Sequence, residues 1–423
     1  MRKAMLITVG TGRNREDIAE GIVFSIKREN PEFLCFFVTP KSNKETLPLI
    51  VNKLGINKGT YRVIEHEEAD DIQELYMHYD GVLRDIINEG FSPEEIVIDY
   101  TSGTKSMSAA LFAVGIAREV GAVTYISGKR DDSGRVIQGT EKQVSPNITM
   151  LRMAIKLDRF SKLFNSYQFE ACMSLLSEFE KKISQETVKE KLAFLESLTR
   201  AYMLWDRFDT EGSLKELTEL SRRNEGLLRE LEIKGQLDRN KELLYREKQS
   251  KYSVERIVDL FKNAERRFEE GKYDDAVARL YRTIEYMAQV RLFTNHNGIE
   301  TSDLDMEKLR EKLDEATIKE LEKKRSEGKV KVGLVDSFFL LYKLGDKMGR
   351  RFFNEFNDSN SELKKYINLR NQSILAHGFT PIGREGAEKL KGIVESYLND
   401  FFPSWKQIEQ KARFPKIRDV RWI

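Results

Sequence analysis

The run Phe33-Leu34-Cys35-Phe36-Phe37-Val38 places six apolar residues in succession, leaving no polar position to give a strand a wet face. A strand of that composition is buried on both sides, as in a parallel sheet covered by helices. Working outward, Ala4–Val9, Arg62–His66, Ile96–Thr101 and Ala122–Ser127 are short runs of the same kind. Between them, Asp17–Arg28, Asp70–Asn88 and Lys105–Val120 have helical spacing. Strands alternating with helices of that length predict βαβ units and an α/β domain. Arg135–Val144 reads as an extended or hairpin addition at the sheet edge, and the domain is placed at residues 1–148.

Proline placement divides the remainder. Of eight prolines, five lie at or before Pro146 and three at or after Pro381. No proline interrupts a helix between them, which predicts an all-α region. Residues 151–250 hold 19 basic and 18 acidic side chains, the pattern of a solvated scaffold rather than a binding face. Residues 149–251 are therefore a helical connector, and 252–423 a third block. Its predicted helices are Asp275–Leu292, Leu334–Lys347 and Leu363–Ala376, with the charged stretch Thr301–Val330 a loosely packed insertion.

Composition limits the function. Charges nearly cancel, 71 Lys+Arg against 69 Asp+Glu, which excludes a protein that holds nucleic acid through overall positive charge. Local basic sites stay open. Hydrophobic residues at 40% and charged residues at 33% describe a folded chain. Two cysteines, Cys35 and Cys172, cannot form a disulfide framework or a thiolate zinc site, which fits a reducing compartment. The four histidines share no ligand-like spacing, so no metal is expected. Ala4–Val9 is too short for a signal peptide and Ala109–Ala117 too short to span a bilayer. The expectation is a cytoplasmic protein without membrane association.

Two small-residue loops follow strands and open helices. One is Thr8-Val9-Gly10-Thr11-Gly12-Arg13-Asn14; the other is Asp99-Tyr100-Thr101-Ser102-Gly103-Thr104-Lys105-Ser106. Amides at helix N-termini suit phosphate oxygens, and open α/β sheets bind ligands at such strand ends. A dinucleotide fingerprint fails, because Arg15 stands where the third glycine belongs and Thr39-Pro40-Lys41 replaces the ribose-binding acid. A Walker A loop fails too, since Lys105 follows threonine rather than glycine. Two ordinary strand-to-helix turns with hydroxyl N-caps are the bland alternative; the doubled pattern, each with a cation, favours a phosphate-bearing ligand. An α/β enzyme acting on a nucleotide at these loops is a further reading.

In the last block, Arg370-Asn371-Gln372-Ser373-Ile374-Leu375-Ala376-His377-Gly378 contains the histidine in the most informative setting. Seven helical positions return Arg370 and His377 to one face, about 10 Å apart along the axis. On that reading Leu369, Ile374 and Leu375 face the core. Gly378 ends the helix, and the helix dipole raises the pKa of His377. An imidazole and a guanidinium suit proton transfer and phosphoryl charge stabilisation; a capping histidine beside a solvated arginine is the alternative. At the chain end Lys406, Lys411, Arg413, Lys416, Arg418 and Arg421 alternate with Trp405, Phe414 and Trp422. That pattern fits an RNA-guiding surface and a packed tail equally well.

The two N-terminal loops resemble those of CARF domains, the Rossmann-like sensors of CRISPR systems, in the Cas02710 group of Csm6/Csx1-like proteins. Members often carry Gly where this chain has Ser102. The Arg370…His377 segment, with Asn371 after the arginine, resembles the Arg-x₄₋₆-His motif of HEPN ribonucleases. Asp275–Leu292, with Arg279, Arg282 and Glu285, resembles the first helix of such domains. The resemblance implies an α/β CARF domain and an all-α HEPN domain joined by the connector, in a homodimer. It further implies that paired sensors bind a cyclic oligoadenylate, with four adenylates preferred and six the other option. Thr11, Arg13, Thr104 and Lys105 would meet phosphates and riboses, and Thr104 and Lys105 would serve any slow cleavage of the ring. Single-stranded RNA would be cut without metal by its own 2′-OH, using Arg370, Asn371 and His377. A non-enzymatic, ligand-responsive regulator whose helices bind a partner or nucleic acid is the competing expectation.

Overall fold

In a computed structural model of the chain, residues 2–12, 14–129, 137, 139–180, 183, 185–376, 378–418 and 420 are described. The chain divides into two compact units, Met1–Ala154 and Ile155–Ile423. In the first unit, β1 (Ala4–Val9), β2 (Phe33–Val38), β3 (Tyr61–Glu65), β4 (Ile96–Asp99) and β5 (Ala122–Ser127) pair in parallel. A short β6 (Lys142–Val144) runs antiparallel to β5, so the edge addition forms over those residues. Arg135, Val136 and Gln138 of that expectation lie outside the described residues. Helices α1 (Arg15–Glu29), α2 (Pro40–Glu45), α3 (Leu47–Leu54), α4 (Ile72–Asn88) and α5 (Lys105–Ala117) connect the strands.

The pleat explains why β2 reads as a solid apolar run. Ala4, Leu6, Cys35, Phe37, Ile96 and Ile98 point to one face, against Leu75 and Tyr79 of α4 and Met107 and Leu111 of α5. Met5, Ile7, Leu34, Phe36 and Val97 point to the other, against Ile22 and Ile26 of α1 and Ile50 of α3. Both faces are dry, so the central strands are apolar except for Thr8 and Asp99 near their carboxyl ends, whose side chains are hydrogen-bonded. Strand order is β3-β2-β1-β4-β5-β6. The chain therefore reverses direction between β1 and β4, which makes the gap beyond their carboxyl ends the switch point of the sheet.

The second unit is helical. α6 (Ile148–Asn165) leads into α7 (Phe169–Glu180), α8 (Glu186–Asp206), α9 (Thr210–Arg223), α10 (Glu225–Glu230) and α11 (Lys234–Gln249). There follow α12 (Val254–Glu269), α13 (Tyr273–Asn295), α14 (Met306–Arg310) and α15 (Glu315–Glu322), then the hairpin β7 (Arg325–Ser326) and β8 (Lys329–Val330). The last helices are α16 (Leu334–Lys343), α17 (Lys347–Asn357), α18 (Glu362–Gln372), α19 (Arg384–Phe401) and α20 (Trp405–Ala412). The insertion 301–330 is not loosely packed: Leu304, Leu309, Ile318, Leu321 and Val330 are buried, enough to anchor two short helices despite their charge. The helix expected over Leu334–Lys347 stops at Lys343, because Asp346 caps α17 by accepting from the Met348 N–H at 2.8 Å. Among the described residues no helix is long and apolar enough to cross a membrane.

The basic tail packs. Phe414 is buried, its ring 4.9 Å from Tyr202 and 4.8 Å from Trp205, with the Arg266 guanidinium 3.9 Å above it. Buried Asn240 accepts from the Tyr202 hydroxyl and donates to the Lys411 and Arg413 carbonyls at 2.7 and 2.8 Å. Lys411 pairs with Glu242, Arg413 with Glu409 and Arg418 with Glu232. These cations pair within the fold, with Arg413, Lys416 and Arg418 still exposed to solvent. Arg421 and Trp422 lie outside the described residues.

Candidate functional sites in the two units

Ile7 of β1 lies opposite Asp99 of β4, so the two glycine loops leave the sheet side by side. They are fastened directly to each other. The Gly10 N–H donates to Ser102 Oγ at 2.9 Å. The Ser102 carbonyl accepts from Thr8 Oγ1 and, at 3.0 Å, from Ser108 Oγ. A Cβ on Gly10 would sit 2.8 Å from the Gly103 amide nitrogen, so only glycine allows this approach. Gly103 itself has φ +101°, with Thr8 and Met107 crowding the place a side chain would take.

Ser102 is thus a buried staple. Thr104 caps α5, its Oγ1 accepting from the Met107 N–H at 3.1 Å and donating to the Ala69 carbonyl at 2.5 Å. Asn14 caps α1, accepting from the Glu16 N–H at 3.1 Å. Thr11 is half-buried, Gly12 exposed, Lys105 exposed and Ser106 half-buried. Among the described residues, the side chains of Thr11, Lys105 and Ser106 have no hydrogen bond or ion pair. The site therefore separates into holders, Ser102, Thr104 and Asn14, and side chains open to a ligand, Thr11, Lys105 and Ser106. Arg13 lies outside the described residues.

Sequence reasoning gave Asp99 as the start of the second loop without a role, and did not single out Ser25. Asp99 is fully buried at the end of β4. It accepts from Ser25 Oγ, from Thr101 Oγ1 and, at 2.8 Å, from the Thr101 N–H. Thr101 Oγ1 in turn accepts from the Ile126 N–H at 2.8 Å. Burial pushes the Asp99 carboxyl above its usual value, with the hydrogen bonds from Ser25 and Thr101 pulling the other way. The visible signal is an acid closing the apolar run Ile96-Val97-Ile98.

In the second unit, Leu363, Tyr366 and Ile367 anchor α18 in the core, and Arg370 stands in its last turn. The guanidinium lies 4.4 Å from the ring centroid of Tyr281 on α13, and Nη1 donates to Asn371 Oδ1 at 3.2 Å. Its Nε is buried and has no hydrogen-bond partner among the described residues. Burial pushes the Tyr281 hydroxyl up, with Arg370 opposing. Tyr281 was not foreseen, since nothing local in the sequence ties α13 to α18.

One expectation is overturned. The helix ends at Gln372, not at Ala376, so the two helical turns expected after Arg370 are not formed. Ser373 takes extended backbone, φ −81° and ψ 164°, and its Oγ donates to the Arg370 carbonyl at 2.8 Å. A serine that bonds the backbone locally gives the chain an alternative to another helical turn. The chain then folds back: the Gly378 N–H donates to the Ser373 carbonyl at 3.2 Å and the Thr380 N–H to the Gln372 carbonyl at 3.0 Å. Gly378 serves this close return rather than a helix end, for a Cβ there would lie 2.2 Å from the Gln372 carbonyl oxygen. Ile374 and Leu375 are 65% and 46% exposed, not turned to the core, and Phe379 is 90% exposed. His377 lies outside the described residues.

The histidines are also less dispersed than their spacing suggests. His66, buried after β3, has its ring 4.8 Å from that of His78 and 5.1 Å from Tyr79. Burial and the neighbouring His78 lower its pKa to about 4.

Family models match consecutive parts of the chain: that of the Csm6 6H domain covers residues 154–249, and that of the Csm6 HEPN domain residues 245–400. Among solved structures, Csm6 of Enterococcus italicus, bound to cyclic hexa-2′-fluoro-hexa-dAMP, shares the fold with a TM-score of 0.55. The identity is 16%, over 97% of this chain and 99% of that one. Can2 of Sulfobacillus thermosulfidooxidans, in complex with cyclic tetra-adenylate, gives a TM-score of 0.24 at 13% identity, over 47% of this chain and 58% of that one. No curated protein sequence matches. With an α/β sensor fold preceding consecutive 6H and HEPN matches, the chain belongs to the Csm6-like CARF–HEPN proteins.

Proposed function

We propose that this chain is a cyclic-oligoadenylate-activated endoribonuclease of type III CRISPR antiviral defence, cutting single-stranded RNA at the end of α18. The observation that carries this reading is Arg370: a guanidinium laid on Tyr281, oriented by Asn371, its buried Nε without a partner among the described residues, within residues that match a HEPN model. A fixed cation of this kind stabilises charge that develops on phosphorus. The substrate's 2′-OH attacks the adjacent phosphate, the P–O5′ bond breaks, and the products are a 2′,3′-cyclic phosphate and a 5′-OH. His377 moves the protons, Arg370 faces the phosphorane, and Asn371 holds the guanidinium while its amide NH₂ turns to the scissile group. DNA has no 2′-OH and is not cut by this route.

The activator is a ring of four adenylates, or of six, received where β1 and β4 end. Its phosphates meet the loop amides, Thr11, Lys105 and Ser106; Arg13 completes the set. The support is the switch-point geometry and the open side chains there. Any slow cleavage of the ring falls to Lys105, because the Thr104 hydroxyl is engaged on both sides. The protein acts as a homodimer: Ile374, Leu375 and Phe379 stand exposed around the motif, and a second copy covers them while adding its own Arg370.

The test is RNA cleavage in EDTA with cyclic tri-, tetra- and hexa-adenylate. Ring-dependent cleavage in the wild type, abolished in Arg370→Ala and His377→Ala with ring affinity kept, supports the reading. Cleavage undiminished in both variants removes the site, and ring-induced change without any cleavage supports the non-enzymatic regulator.

A further inference from the structure

A second feature of the HEPN-matching region bears on how substrate reaches Arg370. Between α15, α16 and α17 runs a groove of about 460 Å³, lined by Lys323, Lys324, Val335, Phe339, Phe353 and Phe356 among others. The three phenylalanines are half-buried, and Phe353 stacks on Tyr342 at 4.2 Å with 4° between the ring planes. Lysines surround these rings. Lys364, on the first turn of α18, has Nζ 5.5 Å from the Phe356 centroid, and Lys343 has Nζ 5.4 Å from that of Phe339. Lys324 pairs with Asp336 and Lys343 with Asp314. Lys323 and Lys364 have no ion pair among the described residues. The groove lining itself holds two lysines, Lys323 and Lys324, and two acids, Glu320 and Asp336, while Lys343 and Lys364 stand beside it.

Helix α18 connects this groove to the Arg370 end. Lys364, Asn368 and Asn371 recur at i, i+4 and i+7, which puts them on one face. Asn368 is exposed and the other two are half-buried. The row is polar throughout, with Lys364 its cation, and covers about 10 Å from the groove to the side chain that orients Arg370.

We propose that the groove and this row form an RNA track: unpaired bases enter among Phe339, Phe353 and Phe356 while Lys323 and Lys364 hold phosphates, and the strand continues along α18 to Arg370. Aromatic faces beside cations open to phosphate, here Lys323 and Lys364, are the chemistry that receives single-stranded nucleic acid without reading its sequence. A purely apolar peptide would leave Lys323 and Lys364 without counter-charge. The inference rests on the ribonuclease reading of the Arg370 site.

The experiment uses the full-length, non-cleaving Arg370→Ala protein with its cyclic oligoadenylate activator. Binding of a short labelled single-stranded RNA is measured by anisotropy across a salt series, against an abasic strand of equal length. Lys323→Gln/Lys364→Gln lowers affinity at least tenfold and flattens the slope of log K against log salt by about 1.4, the contribution of two phosphate contacts. Phe339→Ala weakens the base-bearing RNA about 5- to 30-fold and leaves the abasic strand unchanged, and Phe339→Trp restores it. In the cleaving protein the same variants raise KM and keep kcat. Unchanged affinity and slope in both variants, with wild-type binding intact, overturn the track and leave the groove to a protein partner. Absence of RNA binding by the parent protein overturns the track together with the ribonuclease reading.

Discussion

Arg370 uses two properties that charge alone does not supply. Its planar face lies on Tyr281 and its Nη1 reaches Asn371. Lysine keeps the charge but has neither the plane nor the forked donors. Arg370→Lys is therefore expected to lower kcat about 100-fold or more while the affinity for cyclic oligoadenylate stays unchanged; single-turnover cleavage and ring titration measure the two separately. His66 gives a residue-scale prediction in the other unit. Its pKa falls from the ordinary 6.5 to about 4, through burial first and His78 second. Above pH 6.5 the ring is neutral folded and unfolded, and its contribution to stability is complete. As pH falls from 6.5 to 4 the unfolded chain takes up a proton that the folded chain refuses, so stability drops through that window by about 2–3 kcal/mol. The Nε2 has no hydrogen-bond partner among the described residues and the ring rests against Phe37. His66→Phe should therefore hold stability at pH 7 and flatten the loss between pH 6.5 and 4, read as the denaturant midpoint against pH.

At the scale of elements, the strands were legible and the end of α18 was not, for a physical reason. Each central strand is specified along its own length: Phe33–Val38 is apolar at every position because both faces of the sheet are covered. The stop at Gln372 is decided instead by contacts across a turn, the Ser373 hydroxyl with the Arg370 carbonyl and the Thr380 amide with the Gln372 carbonyl. Ile374, Leu375 and Ala376 read as further helix because apolar spacing does not reveal whether a partner chain or the core receives them. The N-terminal loops stood out as glycine and hydroxyl clusters, but the division into holders and open side chains depends on Gly10 meeting Ser102, 92 residues away. The returning loop makes a sharp prediction. Gly378→Ala places a methyl group where the Gln372 carbonyl stands, so the return opens and the residues around His377 move. Shifts of about 1 Å at a reacting centre can cost roughly 100-fold. Cleavage should fall by that order or more, with ring affinity unchanged and helical content near wild type by circular dichroism. Full cleavage by this variant would show that the fold-back has no part in the site.

For the whole molecule, the near cancellation of 71 basic by 69 acidic residues matches a chain that concentrates positive charge locally and neutralises it elsewhere, as the tail pairs Lys411, Arg413 and Arg418 do. The two compact units pose the question of how one informs the other, and the sequence contains a reporter for it. All three tryptophans, Trp205, Trp405 and Trp422, belong to Ile155–Ile423 and none to Met1–Ala154. Tryptophan fluorescence thus follows the unfolding of the helical unit alone, whereas far-ultraviolet circular dichroism follows both. A ring at 100 times its Kd stabilises the sensor that binds it by about 2.7 kcal/mol. If the units were independent, that stabilisation would stop at residue 154 and the fluorescence transition would not move. Activation at a distance requires a coupling free energy, about 1–3 kcal/mol in typical cases, and coupling is reciprocal. The expected result is that cyclic oligoadenylate shifts both transitions, the fluorescence one by the smaller amount. The Lys105→Ala variant, which loses a cation open to the ring phosphates, needs more ligand to produce either shift. A fluorescence transition fixed at all ligand concentrations, beside a circular dichroism transition that moves, would mean that the sensor binds its ring without passing free energy to the Arg370 site, and activation by ligand would fall.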